Sequence, residues 1–356
     1  MTDVKQPRIL LTRTGHIGDC VLTLPMLCAL RDHFPQAFIA WAVERPADQF
    51  IAHHGAIDQV ISLRRGWIKR PSEIFGLRRQ LRALSFDICI DPQSRTRSAM
   101  IAWLAGAPRR LGWRYPDGKD VALWLNNDRH AVSRPHVVDR QLDLLKPLGI
   151  ESPKVRFDYP IQQSAMDTTI GFLNRNSLTR RDRQAEDFAV INAGAGWFSR
   201  RWPPQRYGFV AKYLKQSYGL PSVVTWAGDD ERELAEAVVD TSQGAAILAP
   251  PTNLGELAAL LRQAKFYLGS DTGPMHFATA VGTPCVGLFG TTRPECSGAY
   301  GPHHVAVQAF YQSGGGIARR NGGNPAMQAI TTEMVCQGCD QMIANQKVRF
   351  PRREVA

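Results

Sequence analysis

The chain has 356 residues, 44% of them hydrophobic and 21% charged, and 43 Lys+Arg against 32 Asp+Glu leave a formal charge of +11. This composition excludes a mainly disordered chain, and the length predicts two domains, each with its own core. The longest apolar stretch near the start, 21–30, is interrupted by Thr23 and Pro25, far from the roughly 20 apolar residues of a spanning helix. The opening MTDVKQPRIL leads into a strand-like run rather than a leader, so a cytoplasmic location is expected. Seven cysteines, an odd number scattered along the chain, predict reduced thiols and no disulfide framework.

Strand-like runs alternate with amphipathic helical stretches nearly from end to end, the pattern of an α/β chain with parallel sheets covered by helices. In the first half the predicted strands are 8–12 (RILLT), 38–43 (FIAWAV), 59–63 (QVISL) and 86–90 (FDICI). Helices are predicted near 20–33, 72–84, 94–105 and 137–148, the last ending at Gly149 as a C-cap. The alternation weakens over 161–186, which holds one helix near 163–175 and the run TRRDR at 179–183; the interdomain linker is placed there. It resumes with strands at 188–193, 222–227, 246–248, 266–269 and 284–289, and with helices near 204–217, 230–239, 254–263 and 274–281. The glycine-dense stretch 313–324 reads as loop. A last helix begins near Thr331 or Thr332 and the chain closes in a basic tail. Two doubly wound units follow: 1–160 and 187–330, with 331–356 as helix and tail.

Four segments carry chemistry. In LLTRTGHIGDCVLTLP, 10–25, a strand gives way to Gly15 and Gly18, with Asp19 where a helix should open. Glycine lets a ligand approach the backbone at the carboxyl end of a parallel strand, where open α/β sheets bind ligands. Asp19 can cap that helix or serve as a carboxylate that accepts a proton from a substrate hydroxyl. The spacing is not GxGxxG, which argues against a dehydrogenase. In FYLGSDTGPMHFATAVGTPCVGLFG, 266–290, Asp271 or Thr272 suits an N-cap, Gly273 permits close approach and Pro274 suits the first turn. The helix N-terminus so formed suits a phosphate or diphosphate, and His276 in its first turn can donate to one or pack structurally. In INAGAGWFSRRWPPQRY, 191–207, Arg200 follows a small-residue turn from which a guanidinium can clamp a diphosphate, while Trp202 suits the core. In TWAGDDERE, 225–233, Asp229 stands at a strand end, placed either to hold ribose hydroxyls or to favour the helix dipole. Cys336 and Cys339 form a CxxC, but zinc would need two further ligands, which Cys296, His303 and His304 could supply only through the fold.

Charge divides unevenly: residues 1–150 carry +8 and residues 151–356 carry +3. Arg64, Arg65, Lys69, Arg70, Arg78, Arg79 and Arg82 face one acid, Glu73, with Trp67, Ile68 and Phe75 among them. Such a segment suits a solvated face, a nucleic-acid patch or a surface for anionic headgroups.

Three of these motifs, in order, resemble glycosyltransferase family 9, the heptosyltransferases of the lipopolysaccharide inner core: TGHIGDCVLTLP at 14–25, SRRWPPQRY at 199–207 and SDTGPMHFATAVGTPCVGLFG at 270–290. The resemblance spans nearly the whole chain. It implies a GT-B architecture, two Rossmann-like doubly wound domains facing across a cleft, the N-terminal one holding the acceptor and the C-terminal one the nucleotide sugar. It implies inverting transfer of a heptose from ADP-L-glycero-D-manno-heptose to a core sugar with no metal or other cofactor required. Asp19 then matches the general base. Gly18, Asp271, Thr272, Gly273 and His276 match donor-binding positions. Arg200 stands where the family often has a diphosphate-binding lysine, and Asp229 where some members have a ribose-binding glutamate. Arg64, Arg65, Lys69 and Arg70 fall where members meet the acceptor's phosphates and carboxylates. On this resemblance the basic half reads as a surface for an anionic glycolipid at the inner face of the cytoplasmic membrane, with no nucleic-acid partner. The alternatives are a family member using another nucleotide sugar or a protein acceptor, and a non-catalytic nucleotide or nucleic-acid binding protein.

Overall fold

Strands that read as near-continuous apolar runs are strands buried on both faces, which is the environment of a parallel sheet between helix layers. Ile9, Leu10 and Leu11 of the first strand and Ile39 to Val43 of the second are fully buried. A computed structural model describes residues 6–178, 187–314 and 322–349; the run 179–183, most of the glycine-dense stretch and the tail beyond 349 lie outside the described residues. The chain divides into two compact units, Met1–Pro160 and Ile161–Ala356.

The first unit contains β1 (Arg8–Thr12), α1 (Ile17–Val21), α2 (Leu24–His33), β2 (Phe38–Glu44), α3 (Ala47–Ile51), β3 (Gln59–Leu63), α4 (Pro71–Ala83), β4 (Ile88–Ile90), α5 (Thr96–Ala105), β5 (Arg109–Trp113), α6 (Ala122–Leu125), β6 (Asp128–His130) and α7 (Val137–Asp143). Its six strands are all parallel in the order β3-β2-β1-β4-β5-β6. The order reverses between β1 and β4, the topological switch point at which such sheets bind ligands. Right-handed crossovers put the helices between β1 and β3 on one face and α4, α5 and α6 on the other; accordingly α1 touches α3, while α5 packs against both α4 and α6.

The second unit contains α8 (Gln163–Arg175), β7 (Ala189–Asn192), α9 (Pro204–Tyr218), β8 (Ser222–Thr225), α10 (Asp229–Ser242), β9 (Ala246–Leu248), α11 (Leu254–Gln263), β10 (Phe266–Ser270), α12 (Gly273–Ala280), β11 (Cys285–Leu288), α13 (Pro294–Ser297), β12 (Val305–Val307), α14 (Pro325–Ala329) and α15 (Thr332–Arg349). Its sheet repeats the plan in the order β12-β11-β10-β7-β8-β9, with the reversal between β7 and β10. Helix α8, inside the stretch expected as linker, packs on α11 of this unit. Helix α15 lies on β11, β12 and α9, burying Val335, Cys339, Met342 and Ile343. The hydroxyls of Tyr213 (2.9 Å) and Tyr218 (2.8 Å) donate to Asp340 Oδ1 and tie α15 to α9. Trp202 is buried in this core, its indole N–H donating to the Ile330 carbonyl at 2.9 Å.

Several elements depart from the sequence-based expectation. The helix near 20–33 is two helices: Leu22 N and Thr23 N close the first on Gly18 and Cys20, the Thr23 hydroxyl donates to the Asp19 carbonyl (2.8 Å), and Pro25 opens the second. Strands β5 (RRLGW) and β6 (DRH) lack the apolar alternation that marks a strand, because they lie toward the sheet edge, where polar side chains reach water. The CxxC is divided between core and surface, Cys339 being buried and Cys336 partly exposed. His304 uses both ring nitrogens, Nδ1 accepting from the Cys285 amide (3.1 Å) and Nε2 facing the Tyr300 carbonyl (3.1 Å). Burial pushes its imidazole down to about 4. Among the described residues no group of three or more His, Cys, Asp or Glu is placed to hold a metal ion.

Candidate functional site

At the carboxyl end of β1 the chain turns through Arg13–His16 into α1, with His16 as an extended N-cap whose side chain makes no capping bond. Asp19 is the third residue of α1, not its cap, and its carboxylate turns instead to Arg13, with Oδ1 3.0 Å from Nη2. The Arg13 side chain is 10% exposed and that of Asp19 42%, so the guanidinium anchors a carboxylate that a substrate can still reach. A Cβ at Gly15 would lie 2.6 Å from Asp19 Oδ2, so a larger residue there would push the carboxylate from its place. Gly18 is buried beside it in α1, in a different unit from every other donor-binding candidate.

Across the switch point, the loop after β4 completes this end of the sheet. Gln93 Oε1 accepts from both the backbone N–H (3.0 Å) and the hydroxyl (3.1 Å) of Thr14, linking the β4 loop to the β1 loop. Gln93 is itself held by Asp91, a fully buried acid whose Oδ1 accepts from the amides of Gln93 (3.2 Å) and Ser94 (2.7 Å) and whose Oδ2 accepts from Asn126 Nδ2 (3.0 Å). Sequence reasoning missed Arg13, Asp91 and Gln93; the signal was DPQ immediately after the strand that neighbours β1.

Burial pushes the Asp91 carboxyl up to about 6 from an ordinary 3.8, its hydrogen bonds offsetting only part of the shift. The folded state therefore holds this proton longer than the unfolded chain. The group's stabilising contribution is full below the ordinary value and is lost as pH rises through 6. Asp91→Asn removes the charge, keeps the Oδ1 acceptor, and can donate to Asn126 Oδ1, buried with no partner among the described residues, if that amide turns over. Urea unfolding of this variant is expected to show a flatter pH profile between about pH 4 and 7 and a gain of about 1–3 kcal/mol near neutrality. A loss near neutrality as large as that of Asp91→Ala would mean that the loop requires the carboxylate itself.

The basic cluster follows β3 at the same edge of the sheet. Gly66 takes a left-handed conformation (φ 76°) that turns the chain into a 3-10 turn at Trp67–Lys69. Arg70 (3.0 Å) and Arg64 (3.6 Å) share Glu73, whereas Arg65 and Lys69 are exposed and form no ion pair among the described residues. Trp67 is buried in the core and Ile68 partly buried, so of the interleaved apolar residues only Phe75 faces water.

In the second unit the switch point between β7 and β10 gathers most of the remaining candidates. Arg200, in a 3-10 turn at Phe198–Arg200 after β7, donates from Nη1 to the Asp271 carbonyl (2.7 Å), lies 3.7 Å from Asp271 Oδ2, and stacks its guanidinium over Trp197. Asp271 Oδ1 is 3.3 Å from His276 Nε2, and its Oδ2 accepts from the Ser297 hydroxyl at 3.0 Å. Burial works against ionisation of Asp271, but His276, Arg200 and the Thr292 hydroxyl outweigh it and hold the carboxyl below the usual range. Thr272 is the extended N-cap of α12; its hydroxyl donates to the Ser270 carbonyl (3.3 Å) rather than capping the helix. The first turn of α12, from Gly273, points its amides toward the end of the sheet where Arg200 and His276 converge, a geometry suited to an anion.

Asp229 opens α10 after β8, one strand beyond β7 on the same edge, and is exposed. The carboxylate that enters the β7 loop is Glu231, two residues on: a Cβ at Gly194 would lie 2.3 Å from its Cδ, and its Oε2 accepts from the Ala227 amide (3.1 Å). Burial raises its pKa. With three acids in one helical turn, the sequence does not show which of them faces the loop.

Two Rossmann-like doubly wound units, each with its polar side chains gathered at a switch point, are the GT-B architecture of nucleotide-sugar enzymes. A family model described as "Glycosyltransferase family 9 (heptosyltransferase)" matches residues 74–316, well over half of the chain, and the chain belongs to that family. It is 27% identical over 312 residues to lipopolysaccharide heptosyltransferase 1 of Escherichia coli strain K12, covering 85% of this chain and 93% of that protein. Among solved structures it is similar to a glycosyl transferase family 9 protein from Veillonella parvula, with a TM-score of 0.83, 24% identity, and coverage of 96% and 99% of the two chains. It is also similar to E. coli heptosyltransferase WaaC with ADP-2-deoxy-2-fluoro heptose, with a TM-score of 0.73, 24% identity, and coverage of 94% and 99%.

Proposed function

We propose that this glycosyltransferase moves a heptose from ADP-L-glycero-D-manno-heptose to an inner-core sugar of lipopolysaccharide, with inversion and with no metal ion required. The observation that carries the reading is Asp19, a carboxylate anchored by Arg13 at the first unit's switch point and open to a substrate. Asp19 takes the proton of the acceptor hydroxyl as its oxygen forms a bond to the anomeric carbon. The bond from that carbon to the diphosphate breaks on the opposite face, through an oxocarbenium-like transition state. Negative charge grows on the departing ADP. Arg200, His276 and the first amides of α12 in the second unit take up that charge. A curated relative named as a lipopolysaccharide heptosyltransferase and a structural neighbour solved with an ADP-heptose analogue support the donor and acceptor.

The acceptor's phosphates and carboxylates are assigned to Arg64, Arg65, Lys69 and Arg70 at the end of β3. The bilayer-borne acceptor places the enzyme at the inner face of the cytoplasmic membrane. The direct test is release of ADP from ADP-heptose with and without a deacylated core acceptor. Acceptor-dependent release is expected, and its absence would remove the reading. Replacing Arg65 and Lys69 by glutamine is expected to raise the acceptor KM about tenfold and leave the donor KM within about twofold, as loss of two exposed charge contacts implies. An equal loss for the donor would return these cations to a solvated face.

A further inference from the structure

Helix α4, PSEIFGLRRQLRA, buries Leu77 and Leu81 and turns Phe75, Arg78 and Arg79 to the opposite side, the spacing of one outward stripe. Phe75 is 72% exposed. The neighbouring helices on the same face of the sheet continue the apolar surface, with Trp103 of α5 at 45% and Trp124 of α6 at 86%. All the exposed large hydrophobic side chains of the first unit lie between residues 75 and 124, and none is on α1, α2, α3 or α7 among the described residues. Scattered apolar residues are ordinary on a surface, but Phe75, Trp103 and Trp124 stand on three adjacent helices of one layer, with Val121 just before α6 and Tyr115 in the loop after β5, and that clustering marks an interaction surface.

The charge of this layer is one-sided. Glu73 is the only carboxylate in the sequences of α4, α5 and α6, and it is occupied by Arg64 and Arg70. In the loop before α6, Asp117 lies near Arg140 (3.4 Å) and Asp120 near the Thr96 hydroxyl (3.4 Å). Arg82 is committed to the fold, its Nε donating to the Leu104 carbonyl at the end of α5 (3.2 Å). Arg78 and Arg79 stay exposed beside Phe75.

We propose that the outer face of α4, α5 and α6 docks the protein on a bilayer rich in anionic lipids. Phe75, Trp103 and Trp124 enter the interfacial region and Arg78 and Arg79 meet the headgroups. Aromatic rings at headgroup depth with arginines beside them are the chemistry of peripheral attachment, and no helix among the described residues is long and apolar enough to cross a membrane. The choice of a lipid surface over another partner rests on the proposed lipid-borne acceptor. The surface differs from the acceptor cations, which sit at the carboxyl edge of the sheet.

The test is co-sedimentation of the full chain with phosphatidylglycerol–phosphatidylcholine vesicles and with phosphatidylcholine vesicles. Salt-sensitive binding to the anionic vesicles is expected, at least about tenfold stronger than to neutral ones. Phe75→Ser with Trp124→Ser, and Arg78→Gln with Arg79→Gln, are each expected to weaken it by about tenfold or more, while Arg65→Gln with Lys69→Gln changes it by less than about threefold. Turnover of a deacylated, soluble acceptor is expected to stay within about twofold in both surface variants, because these side chains lie outside the site. No binding to anionic vesicles, unchanged binding in both variants, or transfer of the effect to single-stranded RNA would overturn the proposal. Failure of the catalytic reading would appear separately, as absent ADP release from a protein that still binds vesicles.

Discussion

Asp19→Asn is expected to lower kcat for heptose transfer by about 10³-fold, the middle of the range for a positioned general base, while ADP affinity changes by less than about twofold. The asparagine keeps the shape of the acid in the space beside Gly15, so the folded loop survives. It loses the ability to accept the acceptor's proton. Both variants remove the counter-charge of Arg13, 8% exposed with its Nε unpartnered among the described residues, but Asp19→Ala also removes the oxygen that lies 3.0 Å from Arg13 Nη2. Removing one partner of a mostly buried pair costs about 3–5 kcal/mol at full burial and less here, where Asp19 is half-exposed. Both variants should therefore lower kcat and the thermal midpoint of the first unit, alanine lowering the midpoint by more. Turnover of the asparagine variant within tenfold of the parent, in steady-state kinetics with a soluble acceptor, would remove Asp19 from the base role.

What could be read from the sequence follows from how each residue is determined. Strands such as RILLT and QVISL and helices such as 163–175 and 254–263 announce themselves through local periodicity, and the structure has them at those bounds. The edge strands do not, since DRH has no apolar residue for a pattern to use. The candidate residues on glycine-bearing turns, Asp19 and Asp271 to Gly273, were visible because a turn of that composition at a strand end has few purposes. Their partners were not. Gln93 reaches Thr14 and Arg200 reaches Asp271 only because β4 lies beside β1 and β10 beside β7. Strand order is a property of the whole sheet, written in no single segment. The same construction, a side chain from one loop bonded to the loop across the switch point, occurs in both units. A close pairing of loops across a switch point leaves short, fixed distances between groups that substrates must meet together, which favours preorganised electrostatics over flexible capture.

Arg200 is the residue on which that construction depends in the second unit. Its Nη1 holds the Asp271 carbonyl and its plane stacks on Trp197, so the guanidinium is fixed before any diphosphate arrives. A fixed cation facing developing charge is worth about 3 kcal/mol in the transition state. Arg200→Ala is therefore expected to lower kcat/KM for ADP-heptose by about a hundredfold. Lysine at this position keeps the charge but has neither the fork nor the flat face, and it cannot hold the Asp271 carbonyl and stack on Trp197 at once. Arg200→Lys is thus expected to recover only part of the loss. A second readout follows from Asp271. Its carboxyl is held low by His276 and Arg200 against burial, so the stability this ionisation contributes is present above its ordinary value of 3.8 and lost as pH falls through the folded value. With Arg200 gone, burial counts for more and the folded value rises. Acid unfolding of the second unit should then begin at higher pH in Arg200→Ala than in the parent, with the lysine variant between them. Wild-type kcat/KM in Arg200→Ala would place the diphosphate elsewhere on this edge, and an unchanged acid limb would separate Arg200 from the ionisation of Asp271.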